Sequence, residues 1–179
     1  MKRAPDEDVQ WEYQFYPTPP ALAAKLVALA DIGPEDIVLE PSAGRGVLLR
    51  EIATYNPARV ECCELMPENR AYLIAQGWEV VEEDFLALET YARYTRIVAN
   101  PPFSGGQDMR HVRHMYALLG FGGIMVAVMS AKFLESALEE HIAFHRWLED
   151  RQALVEPLGV GAFDEIGVDV ATALVILGK

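Results

Sequence analysis

The stretch IVLEPSAGRGVLL, residues 37–49, decides the architecture. A short apolar strand over 37–40 ends in an acid, turns through Pro-Ser-Ala-Gly-Arg-Gly, and enters a helix over 46–55 that Asn56-Pro57 stops. A strand that turns directly into a helix belongs to an α/β sheet, where ligands bind outside the carboxyl ends of the strands. Gly44 and Gly46 let the backbone approach a ligand with no Cβ in the way. Gly-x-Gly by itself is weak evidence, because any tight turn needs glycine. Leu49 also stands where the dinucleotide fingerprint would place its third glycine. Glu40 at the strand end repels a pyrophosphate and favours a ligand that carries an ammonium and hydroxyls.

The rest of the chain continues the rhythm. Before the glycine turn, ALAAKLVALADIG at 21–33 reads as a helix that follows Pro20 and stops at Gly33-Pro34. After it, strands are predicted over 59–64, 78–81, 95–99, 123–129, 153–158 and 169–177, with helices over 68–76, 107–119 and 134–149. The alternation predicts an α/β fold with a mostly parallel seven-stranded sheet and helices on both faces. No helix separates the last two strands, so they are expected to form an antiparallel C-terminal edge. Residues 1–14 read as a flexible leader, and 15–179 as one domain.

At 179 residues, 51% hydrophobic and 23% charged, the chain has the composition of an ordinary globular domain. Apolar runs such as 124–129 are far too short to cross a bilayer, and the opening MKRAPDEDVQ has no apolar run to serve as a secretory signal. No membrane association and a cytoplasmic location are therefore expected. Cys62 and Cys63 are the only cysteines; neighbours on a strand face opposite ways, so they read as buried thiols rather than a bridge. His141 and His145 have a metal-compatible spacing but no third ligand in view, so no metal is expected. Neither a nucleophilic triad nor a phosphate loop is present.

Two further strand ends carry acids. Glu64 follows Gly44 by twenty residues, where an acid can accept hydrogen bonds from ribose hydroxyls. Asp84-Phe85 follows the third strand, where a carboxylate and a ring could hold an adenine by edge and face. Each alone has a bland reading; three successive strand ends with an acid say more.

The decisive chemistry lies in RIVANPPFSGG, residues 96–106. Two prolines restrict their own φ and carry no N–H, so the loop that leaves the fourth strand is stiff. An exocyclic amine on a base is a poor nucleophile because its lone pair is delocalised. The Asn100 oxygen and a proline carbonyl can both accept hydrogen bonds from such an amine, which localises that pair. Asn100, Pro101, Pro102 and Phe103 are the candidate catalytic residues, acting by position and electrostatics. Phe103 adds a face for a flat substrate.

These motifs resemble the Rossmann-like N6-adenine DNA methyltransferases, over nearly the whole chain. FYPTPP at 15–20 is similar to the family's N-terminal cofactor motif, EPSAGRG at 40–46 to its first motif, and Asn100–Phe103 to its amine-methylating signature. The order, with the cofactor half first, and the C-terminal GAFDEIGVDVATALVIL look most like short phage and prophage members. The resemblance implies a class I methyltransferase fold and S-adenosylmethionine as cofactor. It places Phe15 and Thr18 at the methionine end and Glu40, Ser42, Ala43, Gly44 and Gly46 around the turn. Glu64 would hold the ribose, Asp84 and Phe85 the adenine, with Asn100 also against the cofactor. Phe163 would oppose Phe103 across a flipped base, since extrusion is needed when the amine is paired.

DNA is the expected partner, with two departures from the family. Lys179 follows the last strand directly, so no separate target-recognition domain is expected and sequence readout would be minimal or partner-assisted. The net charge is −12, from 15 basic and 27 acidic residues, which does not suit strong phosphate binding. Arg110, His111, Arg113, His114 and Lys132 are the local counterweight, read either as facing phosphate, Arg110 and Lys132 foremost, or as a solvated helix face. Two other readings stay open: methylation of an RNA base amine or a protein glutamine amide, and an inactive methyltransferase-like binding module. Removing Glu64 is expected to weaken cofactor binding with little effect on folding.

Overall fold

The computed structural model describes residues 17–159 and 171–179. Phe15 and Phe163, and the leader expected over 1–14, lie outside the described residues.

Helix α1 (Pro20–Leu29) precedes β1 (Ile37–Glu40), α2 (Val47–Ala53), β2 (Arg59–Cys63), α3 (Pro67–Ala75) and β3 (Glu79–Glu82). Then come β4 (Tyr94–Ala99), α4 (Gln107–Leu118), β5 (Leu119–Ser130), α5 (Lys132–Glu135), α6 (Glu139–Glu149), β6 (Leu154–Gly159) and β7 (Thr172–Gly178). The seven strands form one sheet in the order β3-β2-β1-β4-β5-β7-β6. All pairings among β1 to β5 are parallel, while β7 runs antiparallel to both β5 and β6. This is the Rossmann-like arrangement expected for a class I methyltransferase. The antiparallel pair does close one edge, with the C-terminal strand β7 as its inner member and β6 outermost. Pro157 lies on that outer strand, where a missing N–H costs the ladder least.

Strand parity separates the two faces. Val38, Val98, Val126, Val128 and Leu174 face Leu22, Ala23, Leu26 and Val27 of α1 and Leu48 and Ile52 of α2. Leu39, Ile97, Met125, Ala127 and Val175 face Met109, Val112 and Met115 of α4 and Phe144 and Leu148 of α6. The two cysteines obey the same parity: Cys62 packs with Ala43, Leu49 and Leu73, and Cys63 joins the opposite core. Burial pushes both thiols up, Cys63 to about 12, so neither is a thiolate at neutral pH.

Three differences from the sequence pattern bear on the architecture. Helix α1 ends at Leu29, because Asp31 takes a positive φ of 50° ahead of the Gly33-Pro34 breaker. The helix expected over 134–149 splits at Ser136, whose hydroxyl accepts from Leu138 N at 3.2 Å and so competes with the helical backbone bond. Strand β5 begins at Leu119, opposite Tyr94, and the register then jumps to Ile124 opposite Arg96. Gly120–Gly123 is thus an excursion within a strand rather than a linker. No helix among the described residues is long and apolar enough to cross a membrane.

Strand order places the functional loops. β1 pairs with both β2 and β4, so the direction of winding reverses between β1 and β4. A crevice opens at such a switch point, outside the carboxyl ends. The turn after β1 and the loop after β4 therefore lie side by side, although some sixty residues separate them in the chain.

Candidate active site

A cavity of about 480 Å³ occupies that crevice. Thr18, Glu40, Ser42, Ala43, Gly44, Glu64, Asp84, Phe85, Asn100, Pro101, Pro102 and Phe103 all line it, so most of the sequence-predicted residues come together on one wall or another.

The glycine turn is held by Glu64. Its Oε2 accepts from Gly44 N at 2.6 Å and its Oε1 from Met66 N at 2.7 Å. Gly44 reaches this bond with φ 53°, the left-handed region that glycine enters without strain. The carboxylate thus joins the loops after β1 and β2. Burial raises the Glu64 carboxyl above its ordinary value, and the Met66 and Gly44 amides work against that shift.

Gly46 departs from the expectation. It does not line the cavity; it caps α2 at φ 74°, and a Cβ there would lie 3.1 Å from Leu73 Cδ2. Its smallness serves the packing of α2 on α3.

Glu40 is buried at the end of β1, and its Oε2 has no hydrogen-bond partner among the described residues. Burial, and secondly the charge of Glu64, push its carboxyl well above the usual range.

At the far wall Asp84 caps the 3-10 turn Phe85–Ala87, with Oδ1 accepting from Leu86 N at 3.0 Å. Phe85 is almost wholly buried, its ring tilted 5.1 Å from the His111 imidazole and edge-on 4.8 Å from that of His114.

At the diproline corner Asn100 leaves the end of β4, and its Nδ2 donates to Thr18 Oγ1 at 3.0 Å. Thr18 is buried just ahead of α1, so the N-terminal segment supports the loop after β4. Pro101 is buried and Phe103 half-buried against the α1 face of the core. Asp108, one residue into α4, accepts from Ser130 N at 3.1 Å and from Met109 N at 2.9 Å, tying the helix after the loop to the end of β5.

The basic cluster is corrected in part. His111 is 6% exposed and lines the cavity instead of facing solvent, and burial lowers its pKa to about 4, so it is neutral. His114 Nε2 meets the Leu88 carbonyl at 3.1 Å. The Arg113 guanidinium lies 4.7 Å over the Trp147 ring. Arg110 and Lys132 are exposed and outside the cavity; Arg110 borders a separate shallow groove with Glu140 and Phe144.

His111 and Asp108 carry signals that residue-type reading passes over. Both lie on the buried face of α4 with Met115, at 108, 111 and 115, so helical periodicity placed them inward. Among the described residues no group of three or more His, Cys, Asp or Glu could hold a metal ion.

The fold is the Rossmann-like arrangement of class I methyltransferases. No family model matches the chain, and no curated protein matches it in sequence. Solved structures do. The M protein of the type I restriction enzyme EcoKI superposes with a TM-score of 0.76 at 18% identity, over 92% of this chain and 44% of that one. A modification subunit assigned to a type I restriction enzyme of Vibrio vulnificus YJ016 gives 0.73 at 16% identity, over 90% of this chain and 44% of that one. The 23S rRNA methyltransferase ErmE gives 0.65 at 18% identity, over 92% and 70%. At these identities the likeness shows the fold. The chain spans less than half the length of either restriction subunit.

Proposed function

We propose that the chain binds S-adenosylmethionine in this cavity and transfers its methyl group to an exocyclic amine, with N6 of adenine in DNA as the substrate. The observation that carries the reading is the position of Asn100, at the carboxyl end of β4, in the same cavity as the acids after β1, β2 and β3. The residues fit such a cofactor: Glu40 offers a carboxylate to a cation, Glu64 the remaining lone pairs of a held carboxylate to ribose, and Asp84 an acceptor to an adenine amine. When bound, the cofactor supplies an electrophilic methyl on a sulfonium.

Asn100 Nδ2 donates to Thr18 Oγ1, and the amide oxygen is the acceptor that would meet a substrate amine. Acceptance there, and at a carbonyl of the diproline, concentrates the lone pair on the attacking nitrogen. Phe103 provides the face against which a flat base rests. Phosphate contact falls to Arg110 and Lys132, the members of the basic cluster that stay exposed without stacking on a ring.

The charge of −12 favours a second reading, an RNA base amine or a protein glutamine amide, because it opposes broad phosphate binding. Incubation with methyl-labelled cofactor and separate DNA, RNA and protein pools tests the proposal. Label in N6-methyladenine of DNA is expected, and label confined to RNA or protein selects the second reading. Asn100→Ala is expected to lower transfer at least about a hundredfold, the scale of losing a transition-state hydrogen-bonding group, with cofactor binding nearly intact. A variant without this loss removes the catalytic assignment.

A further inference from the structure

We propose that His111 recognises the adenine ring of the cofactor, donating Nε2–H to a ring nitrogen of the purine beside the Asp84 carboxylate. The inference rests on the reading that the cavity takes S-adenosylmethionine, and it gives a role to a side chain that the catalytic scheme does not use.

His111 lies one turn into α4, 6% exposed, yet it forms part of the cavity wall. Its Nδ1 has neither solvent contact nor a hydrogen-bond partner. The contrast with His114, three residues on and bonded to the Leu88 carbonyl, shows that the helix can satisfy an imidazole where the fold alone demands it. With Nδ1 sealed, Nε2 is the one ring nitrogen left to meet a molecule in the cavity that His111 lines.

Burial keeps the ring neutral, so it carries one N–H and one lone pair. An orphaned N–H in the sealed position costs more than an orphaned lone pair, which puts the hydrogen on Nε2. The ring is also fixed: Phe85 packs on it at 5.1 Å, and Asp84 is close enough to act on its charge. The wall then presents an acceptor, Asp84, near a donor, His111. Adenine carries the complement, an amine next to ring nitrogens. A neutral imidazole has no charge to attract a phosphate, which sets this residue apart from Arg110.

The test is calorimetric binding of S-adenosylhomocysteine and of its 1-, 3- and 7-deazaadenine analogues. Wild type is expected to bind one of the three analogues at least about tenfold more weakly than the parent, the scale of one lost hydrogen bond. His111→Phe, which keeps a ring against Phe85, is expected to bind the parent as weakly as that analogue. His111→Gln, which keeps an N–H, is expected to recover part of the difference. Unchanged discrimination in His111→Phe overturns the assignment while leaving the cofactor reading intact. No binding by wild type overturns the cofactor reading itself. Imidazole nitrogen NMR of the wild-type protein needs no variant: the His111 Nε2–H signal is expected to shift and exchange more slowly with ligand, and an unaltered signal overturns the proposal.

Discussion

Asn100 Nδ2 lies 3.0 Å from Thr18 Oγ1, a hydrogen bond between side chains 82 residues apart. An amide can rotate by half a turn and exchange its oxygen for its nitrogen at little cost in shape. The Thr18 hydroxyl anchors one end of that amide, here its NH₂ group.

Thr18→Val keeps the volume and removes the hydroxyl. It is expected to lower single-turnover methyl transfer by about tenfold, equivalent to about 1.4 kcal/mol, with the cofactor dissociation constant changed much less. Thr18→Ser is expected to restore most of the rate. A large change in cofactor affinity with an unchanged rate makes Thr18 a cofactor contact only, as the family resemblance implies.

Glu64 has a structural role that the sequence pattern did not show. Its carboxylate bridges Gly44 N and Met66 N inside the protein. Glu64→Ala leaves two buried amides without their acceptor, each costing about 1–3 kcal/mol. The variant is therefore expected to lose stability by roughly 2–6 kcal/mol in urea unfolding, as well as cofactor affinity. Weakened binding with unchanged stability would show that the bridge contributes nothing to the fold.

Glu40 is expected to tie cofactor binding to pH. Burial, then Glu64, hold its proton on above the usual carboxylate range. A ligand that brings a positive charge next to it favours the ionised form, so binding releases a proton and tightens as pH rises through the Glu40 titration. Calorimetry in two buffers of different ionisation enthalpy is expected to report that release for S-adenosylmethionine, and Glu40→Gln to abolish it. Equal release in the variant assigns the proton to another group.

Asp108 sets a stability slope. Burial raises its carboxyl to about 6 in spite of the Ser130 and Met109 amides. The folded value lies above the unfolded one of about 3.9, so its favourable contribution is complete below the lower value. It declines as pH rises through about 6. His111 has the opposite sign: lowered to about 4, it makes stability rise with pH up to its unfolded pKa. The two partly cancel in wild type, so the difference from a variant is the useful quantity. Asp108→Asn is expected to gain about 1 kcal/mol relative to wild type between pH 5 and pH 7. A pH-independent difference excludes Asp108 as the titrating group.

Much of the fold was legible because its signals are local. Gly44 and Gly46 mark a turn that only glycine enters easily, and Asn56-Pro57 stops a helix wherever it occurs. Glu40, Glu64 and Asp84 each follow an apolar run, which puts an acid at a strand end before any pairing is known. The less legible boundaries are those where one local preference beat another, as when the Ser136 hydroxyl broke the helix expected over 134–149.

By itself the sequence determined an α/β sheet with acids at three strand ends and a stiff Asn-Pro-Pro-Phe corner, since propensity, periodicity and turn chemistry act over a few residues. Only the tertiary structure decided that β4 lies against β1, that β7 slips between β5 and β6, that Thr18 holds Asn100, and that His111 turns inward to the cavity. Those facts depend on which distant surfaces bury each other. That is a property of the packed whole, and no short window of residues encodes it.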